Sequence, residues 1–182
     1  MAADQIIIRP AKPEDSRQIA EVHVKTWQSS YADIFPKDRL AELGEEIAAR
    51  TERWQSNIAN LEQLPAFFVA ETGKGKIVGF AGGGRQNNPK IPYDCEIFVI
   101  YILPKFQKRG IGRSLMSAAS AYLQAAGFSS LILWVLEENA SSRGFYEKLG
   151  GKLVGQDEYL RWGESYPLVA YGWDSLTALI ST

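Results

Sequence analysis

The chain has 182 residues, of which 46% are hydrophobic and 23% are charged, an ordinary composition for a globular protein with one sizeable core. Its formal net charge of −1 gives no overall positive field, which argues against nucleic acid as a partner. One cysteine and one histidine exclude an internal disulfide and a cysteine-based metal site, so no metal is expected. No apolar run is long enough to cross a membrane and the first residues do not resemble a signal peptide, so we expect a cytoplasmic protein.

The first half of the chain predicts a strand, two helices and a hairpin. Strands are indicated by β-branched runs, and helices by apolar residues three and four positions apart. In chain order these elements are a strand from Gln5 to Arg9, a helix from Pro13 to about Tyr31, a second helical stretch from Asp38 to Ile58 that Gly44 can interrupt, and hairpin strands from Ala66 to Glu71 and from Lys76 to Arg85.

The second half alternates strands and helices and then ends in another hairpin. Its elements are a strand from Cys95 to Leu103, a helix from Gly110 to Ala126, a strand from Ser129 to Leu136, a short helix from about Ala140 to Leu149, and two strands on either side of the turn Gly163-Glu164-Ser165, followed by a short tail. This order predicts an α+β fold of three layers, with helices on both faces of one sheet. Without a repeat or a linker in the sequence, we expect residues 1–182 to form a single domain.

The most informative stretch follows the strand that ends at Leu103. A basic loop, Pro104 to Arg109, leads into Gly110 and Gly112, which begin a helix. Glycines allow backbone amides to crowd together, and the amides at a helix N-terminus favour a phosphate. Positive side chains cluster at the same point, namely Lys105, Lys108, Arg109 and Arg113. The stretch therefore predicts a site for a diphosphate.

Three features together resemble the GCN5-related N-acetyltransferase superfamily. The segment from Gln107 to Gly112 matches the family's Q/R-x-x-G-x-G/A loop, and it follows a strand of the family's type, Glu96 to Pro104. Asn139 and the segment Phe145 to Gly150 match the family's second motif, and the order of elements matches over nearly the whole chain. The resemblance implies a mixed, mostly antiparallel sheet that is splayed between its fourth and fifth strands. It also implies acetyl-CoA as co-substrate and an amine as acceptor.

The resemblance further implies how the co-substrate is held. Backbone groups near Tyr101 to Leu103 would pair with the pantetheine arm, and the amide of Ile102 would polarise the acetyl carbonyl. The residues expected to hold the cofactor are Tyr101, Ile102, Leu103, Gln107, Lys108, Arg109, Gly110, Ile111, Gly112, Arg113, Asn139 and Tyr146.

The resemblance gives catalytic roles to three side chains, and each has a structural alternative. Tyr146 would protonate the leaving thiolate, or it only packs the short helix onto the sheet. Asn139 would bind the cofactor arm or the leaving group, or it only caps that helix. Glu96 would be the general base, acting through a water, but in a regular strand it faces away from Tyr101 unless a β-bulge resets the alternation. His23 is an alternative base.

The acceptor site is the least determined part. Trp27 and Tyr31 are the residues expected to contact the acceptor, through hydrogen bonds or cation–π contacts with an amine. An acidic rim could come from Glu45, Glu46, Glu52 and Glu62, although a solvated helix face explains these residues equally well. The acceptor is expected to be a small-molecule or peptide amine, and the exposed sheet edges allow a homodimer. Two other functions remain open: a non-catalytic acyl-CoA-binding module, and a transferase of a longer acyl group.

Overall fold

The computed structural model describes residues 5–60 and 66–180. Its strands are β1 (Ile6–Pro10), β2 (Ala66–Thr72), β3 (Ile77–Arg85), β4 (Cys95–Ile102), β5 (Leu131–Leu136), β6 (Lys152–Arg161) and β7 (Glu164–Trp173). Its α-helices are α1 (Ser16–Ser30), α2 (Lys37–Glu42), α3 (Ile47–Ala59), α4 (Ile111–Ala125), α5 (Ala140–Lys148) and α6 (Thr177–Ile180).

The seven strands form one sheet in the order β1-β2-β3-β4-β5-β7-β6. Neighbouring strands are antiparallel except β4 and β5, which are parallel, so the predicted mixed and mostly antiparallel sheet is confirmed. The second predicted helix is interrupted around Gly44 and forms α2 and α3. The short tail differs from expectation because it contains α6, whose Leu179 is buried.

Helices cover both faces of the sheet. On one face, side chains of α1 and α3 such as Ile19 and Trp54 pack against Phe80 of β3. On the other face, Ile111 and Leu115 of α4 pack against Ala81, the next residue of the same strand. A strand buried on both faces reads as continuously apolar, and β3 is buried from Ile77 to Gly84. The helices on both faces confirm the expected three layers.

A β-bulge in β4 decides where the side chain of Glu96 points. In the register with β3, Val99 lies opposite Gly82 and Ile97 lies opposite Gly83, so Phe98 is the extra residue. Glu96 then lies opposite Gly84, while Tyr101 lies opposite Phe80. Because Phe80, Gly82 and Gly84 alternate on one face of β3, Glu96, Val99 and Tyr101 share that face of β4. The bulge brings Glu96 to the face covered by α1.

The sheet opens between β4 and β5, as the resemblance implied. The two strands pair only at Cys95 with Leu131 and at Glu96 with Ile132. Beyond these pairs β5 continues along β7, whereas β4 stays with β3. The strands therefore diverge towards the C-terminal end of β4 and leave a cleft between them.

An ion-pair network fixes the start of α1 against the sheet. Arg9 of β1 donates to both carboxylate oxygens of Asp15, at 2.7 and 2.9 Å, and its Nε donates to Glu71 of β2. The backbone amide of Lys12 also donates to Asp15, at 2.8 Å. Burial raises the pKa of Asp15, but the hydrogen bonds from Arg9 and Lys12 outweigh it and leave the pKa below its usual value of 3.8.

We expect Asp15→Asn to lower the free energy of unfolding by about 2 kcal/mol at neutral pH, since hydrogen bonds to a charged group are lost from a buried position. Because the native pKa lies below the unfolded one, this contribution is present above pH 3.8 and is lost as the pH falls through the native pKa. Urea unfolding at several pH values measures both effects. Asp174→Asn is the control, because its pair with Lys152 is about 70% exposed on both sides. An equal loss in the two variants would contradict the role of the network.

Candidate active site

The gap between β4 and β5 is a cleft of about 1140 Å³. Ile97 to Ile102 of β4 form one wall, and Leu133 to Leu136 of β5 form the other. The N-terminus of α4 and the face of α5 close one end, while α1 and β6 close the other end. The volume exceeds that of a pocket for a drug-sized ligand, so a long cofactor and a second substrate can both enter.

The loop before α4 presents free backbone amides to the cleft. Ser114 makes the first helical hydrogen bond, from its amide to the carbonyl of Gly110, so the preceding amides are not used by the helix. Gly110 has a φ of 82° and Lys108 has a φ of 59°, both in the left-handed region. Such a conformation is uncommon for lysine and is typical of ligand-binding loops. The amides and the helix dipole together suit a diphosphate group.

The loop packs closely against the end of β4. The Nε2 of Gln107 donates to the carbonyl of Ile102, at 2.9 Å. At Gly112, an added Cβ would lie 3.0 Å from the ring of Phe145 and 3.3 Å from the side chain of Ile102. The loop, β4 and α5 therefore meet at Gly112, where any side chain larger than the hydrogen of glycine would require neighbouring atoms to shift.

The amide of Ile102 points into the gap. The next residue, Leu103, donates its amide to Val78 of β3, at 2.9 Å. Because successive residues of a strand direct their amides to opposite edges, the amide of Ile102 points away from β3 and towards the space left by β5. This orientation is what an oxyanion donor in the cleft requires.

The structure brings most of the predicted site residues together around the cleft. The residues that line it are Trp27, Tyr31, Tyr101, Ile102, Gln107, Lys108, Gly110, Gly112, Arg113, Asn139 and Tyr146. Four predicted residues do not line it. Leu103 turns its amide to β3, Ile111 is buried in the core with Leu115, Arg109 lies over the ring of Phe106, and Glu96 lies on the α1 face outside the lining.

Tyr146 lies on α5 and is 6% exposed. Its ring contacts Tyr171 and Trp173 at centroid distances of 5.9 and 6.4 Å, so it also packs the helix onto the sheet. Burial, with a smaller effect of Tyr101, raises its pKa above the ordinary value of 10, and the hydroxyl is protonated at neutral pH. Tyr146 therefore packs α5 onto the sheet and also lines the cleft.

Asn139 is the N-cap of α5. Its Oδ1 accepts a hydrogen bond from the amide of Ser142, at 3.1 Å, which is the structural alternative anticipated for this residue. The residue also lines the cleft. Capping uses the side-chain oxygen, and the amide nitrogen is left for a ligand.

Glu96 is half-buried at the last position where β4 pairs with β5, just before the two strands diverge. Desolvation raises its pKa from 4.5 to about 7. A carboxyl with this pKa changes protonation state near physiological pH, which suits a general base. The sulfur of Cys95, next to it, is buried, and burial raises its pKa to about 12, so this cysteine is a thiol and not a nucleophile.

His23 is a poor candidate for the base. It is buried, and its ring stacks on Tyr101 with a centroid distance of 4.9 Å. Burial, together with the charges of Arg50, Arg53 and Arg161, lowers its pKa to about 3. The imidazole is neutral at physiological pH and accepts a proton only weakly, which argues against its use as a base.

The end of the cleft that Trp27 and Tyr31 line, where the acceptor is expected, is aromatic. Trp27 and Tyr31 of α1 contact each other at a centroid distance of 5.2 Å, and Phe35 stacks on Trp27 at 5.6 Å. Phe35 and Tyr159 of β6 also line the cleft. Of the residues considered for an acidic rim, Glu46 pairs with Arg50 at 2.8 Å, and Glu62 lies outside the described residues.

Sequence reasoning missed part of the lining. Ser141, Phe145 and Lys148 of α5 face the cleft, and their spacing of four and three positions is a signal that they share a helix face. Trp134 of β5 also lines the cleft. Its role depends on the splay, because in a closed sheet the same residue would be ordinary core.

Comparison with known sequences agrees with this geometry. The sequence profile described as "Acetyltransferase (GNAT) family" matches residues 24–151. The chain belongs to the GNAT acetyltransferase family. It is 35% identical over 174 residues to the "Uncharacterized N-acetyltransferase YuaI" of Bacillus subtilis, an alignment that covers 96% of each chain.

Solved structures agree on the GNAT fold. The PaiA N-acetyltransferase of Thermoplasma acidophilum, solved in complex with coenzyme A, superposes with a TM-score of 0.73 at 22% identity and covers 91% of this chain and 98% of its own. The protein yncA of Salmonella typhimurium, solved with its cofactor acetyl-CoA, has a TM-score of 0.64 at 21% identity and covers 93% of this chain and 94% of its own. In the described part of this GNAT chain, no helix is long and apolar enough to cross a membrane, and no group of His, Cys, Asp or Glu side chains is placed to hold a metal.

Proposed function

We propose that the protein transfers an acetyl group from acetyl-CoA to a primary amine, by direct attack of the amine while both substrates are bound. The observation that carries this proposal is the splay between β4 and β5, which leaves one cleft with the amides of the loop before α4 at one end and an aromatic pocket at the other. Both ends open into the same space, so no covalent intermediate on the protein is needed to carry the acetyl group.

The residues of the cleft fit acetyl-CoA. The amides from Lys108 to Gly112 would hold the diphosphate, with Arg113 supplying charge. Acetyl-CoA supplies a thioester whose acetyl group is activated for attack. The amide of Ile102 points into the gap where it can donate to a developing oxyanion.

Two side chains of this chain would handle protons. Glu96, acting through a water, would take a proton from the acceptor ammonium. Tyr146 would hold a proton at its hydroxyl for the leaving sulfur. Burial raises the pKa of Tyr146, so its hydroxyl carries a proton at neutral pH, and this proton would pass to the sulfur as the bond between sulfur and the acetyl carbon breaks.

The proposal is tested by calorimetric titration with acetyl-CoA, succinyl-CoA and free CoA, followed by a thiol-release screen over a panel of amines. Tight binding of acetyl-CoA with amine-dependent thiol release supports it. Binding of acetyl-CoA without release for any amine would indicate a binding module, and tighter binding and faster turnover of succinyl-CoA would indicate a longer acyl group.

We expect kcat/KM to rise with pH through about 7, because the base is active only when Glu96 has lost its proton and its pKa is about 7. Glu96→Gln should lower kcat/KM by about 10²-fold and remove this rise. A profile of kcat/KM from pH 5.5 to 9 with a fixed amine measures both. Glu158→Gln on the exposed face of β6 is the control. A Gln variant that kept the rise near pH 7 would show that another group is the base.

A further inference from the structure

We propose that the acceptor is a compact amine that also carries an anionic oxygen group, such as a carboxylate, and that Arg161 and the donors beside His23 recognise this group. This inference rests on the proposed function and specifies the acceptor class of the same site. It follows from which charges surround the acceptor end of the cleft, and from which buried polar atoms there lack a partner.

The cleft offers no second carboxylate to a polyamine. None of the described residues that line it is Asp or Glu, and the charged side chains that do line it are the basic Lys108, Arg113 and Lys148. Glu96, on the same face of β4 as Tyr101, provides one carboxyl for the reacting ammonium. A second ammonium group would be desolvated without a counter-charge, which is costly.

Buried polar atoms at the acceptor end lack partners. Within the described residues, the hydroxyl of Thr26 and both ring nitrogens of His23 make no hydrogen bond. Both residues line the cleft, with 4% and 9% of their surfaces exposed. Their spacing of three positions on α1 places them on one helix face. A buried polar group without a partner is costly, so a ligand that hydrogen-bonds to these atoms gains affinity.

Arg161 and Arg50 do not line the cleft, but both lie close enough to His23 at the acceptor end for their charges to lower its pKa. The guanidinium of Arg161 lies over the rings of Trp27 and Trp162, at 5.9 and 4.7 Å from the centroids. Its Nε is buried without a hydrogen-bond partner, and Arg161 forms no ion pair within the described part of the chain. Arg50 is 7% exposed and also has an Nε without a partner, although its Nη2 binds Glu46. A planar guanidinium is well suited to binding a carboxylate.

The aromatic walls define the rest of the acceptor. Trp27, Tyr31, Phe35 and Tyr159 leave an apolar enclosure next to the charged groups. An acceptor that carries an apolar body beside its amine and its anionic group matches this arrangement, because the apolar body can fill the aromatic enclosure while the anionic group binds to Arg161. Amino acids with apolar side chains have this chemistry, and so do aminophosphonates.

The test uses pairs of amines that differ only in the anionic group. Thiol release is measured with acetyl-CoA and phenylalanine or phenethylamine, then with the phosphonate analogue of phenylalanine, and with spermidine. We expect kcat/KM to be at least about tenfold higher for phenylalanine than for phenethylamine, the effect of one charge-assisted pair, and spermidine to be poorest. A higher kcat/KM for the phosphonate analogue than for phenylalanine would show that the site prefers a phosphonate to a carboxylate.

Variants of Arg161 test whether this residue causes the preference for an acceptor with a carboxylate. Arg161→Gln should raise KM for phenylalanine and so bring the kcat/KM ratio of phenylalanine to phenethylamine close to one. Arg161→Lys keeps the positive charge and should restore part of the ratio. Arg17→Gln, whose side chain is 79% exposed on the opposite part of α1, is the matched control and should keep the full ratio. A ratio unchanged in Arg161→Gln would overturn the role of this residue.

A binding measurement separates failure of this inference from failure of the proposed function. The CoA-loaded protein is titrated with N-acetylphenylalanine and with N-acetylphenethylamine, which need no catalysis. Tighter binding of the carboxylate by about tenfold supports the inference even if turnover is absent. Equal binding, or faster turnover of phenethylamine or spermidine, overturns it while leaving acetyl transfer intact.

Discussion

Replacing Gly112 by Trp is expected to weaken binding of coenzyme A by about 100-fold or more, the largest effect on affinity of any single change in the loop. An added Cβ already lies 3.0 Å from the ring of Phe145 and 3.3 Å from Ile102. The indole has no space towards the core, so it must displace α5 or extend into the cleft between the loop and β4. Either movement removes the arrangement of amides that would receive the diphosphate. Calorimetric titration with CoA measures the loss.

The control for this variant must separate lost binding from lost folding. Ser114→Trp adds the same side chain to the same helix two residues later, at an exposed position that does not line the cleft. It should keep its affinity for CoA. Thermal melting of both variants shows whether Gly112→Trp remains folded, and the smaller Gly112→Ala gives a graded case in which Phe145 needs to move by only a few tenths of an ångström. Unchanged affinity in the folded Trp variant would place the diphosphate elsewhere.

Replacing Tyr146 by Phe is expected to lower kcat by about 10²-fold, the usual contribution of a general acid. The Phe ring preserves the contacts with Tyr171 and Trp173, so α5 should stay in place and the Kd for acetyl-CoA should hardly change. The only group lost is the protonated hydroxyl of a residue that lines the cleft. Steady-state turnover and a calorimetric Kd, measured on the same preparation, separate the two effects.

Tyr122→Phe is the matched control for this prediction, because Tyr122 is 44% exposed on α4 and also loses one hydroxyl. It should retain full turnover. The expected loss in Tyr146→Phe should be smaller for a thioester with a more acidic thiol, because a better leaving group needs less help from an acid. Full activity of the Phe variant over the whole pH range would show that the leaving sulfur takes its proton from another source.

The sequence by itself determined most of the elements and the position of the loop. Patterns of period two and period 3.6 located the strands and the long helices, since they depend only on neighbours along the chain. The basic residues and glycines before α4 predicted a diphosphate site at this loop for the same reason: a helix N-terminus and its loop form one local structure. The interruption at Gly44 was likewise visible, whereas the short α6 was not, because four residues carry too little periodicity.

Tertiary structure alone decided the geometry of the active site. The bulge at Phe98 turns Glu96 to the face of Tyr101, and a bulge depends on pairing with β3, which the residues of β4 do not specify. Desolvation of Glu96, which raises its pKa to about 7, depends on elements packed around it from distant parts of the chain. The positive charge near His23 also depends on tertiary structure, because Arg50 of α3 and Arg161 of β6 approach His23 only in the folded chain. Local patterns record how a segment folds, but burial and electrostatics depend on which segments meet.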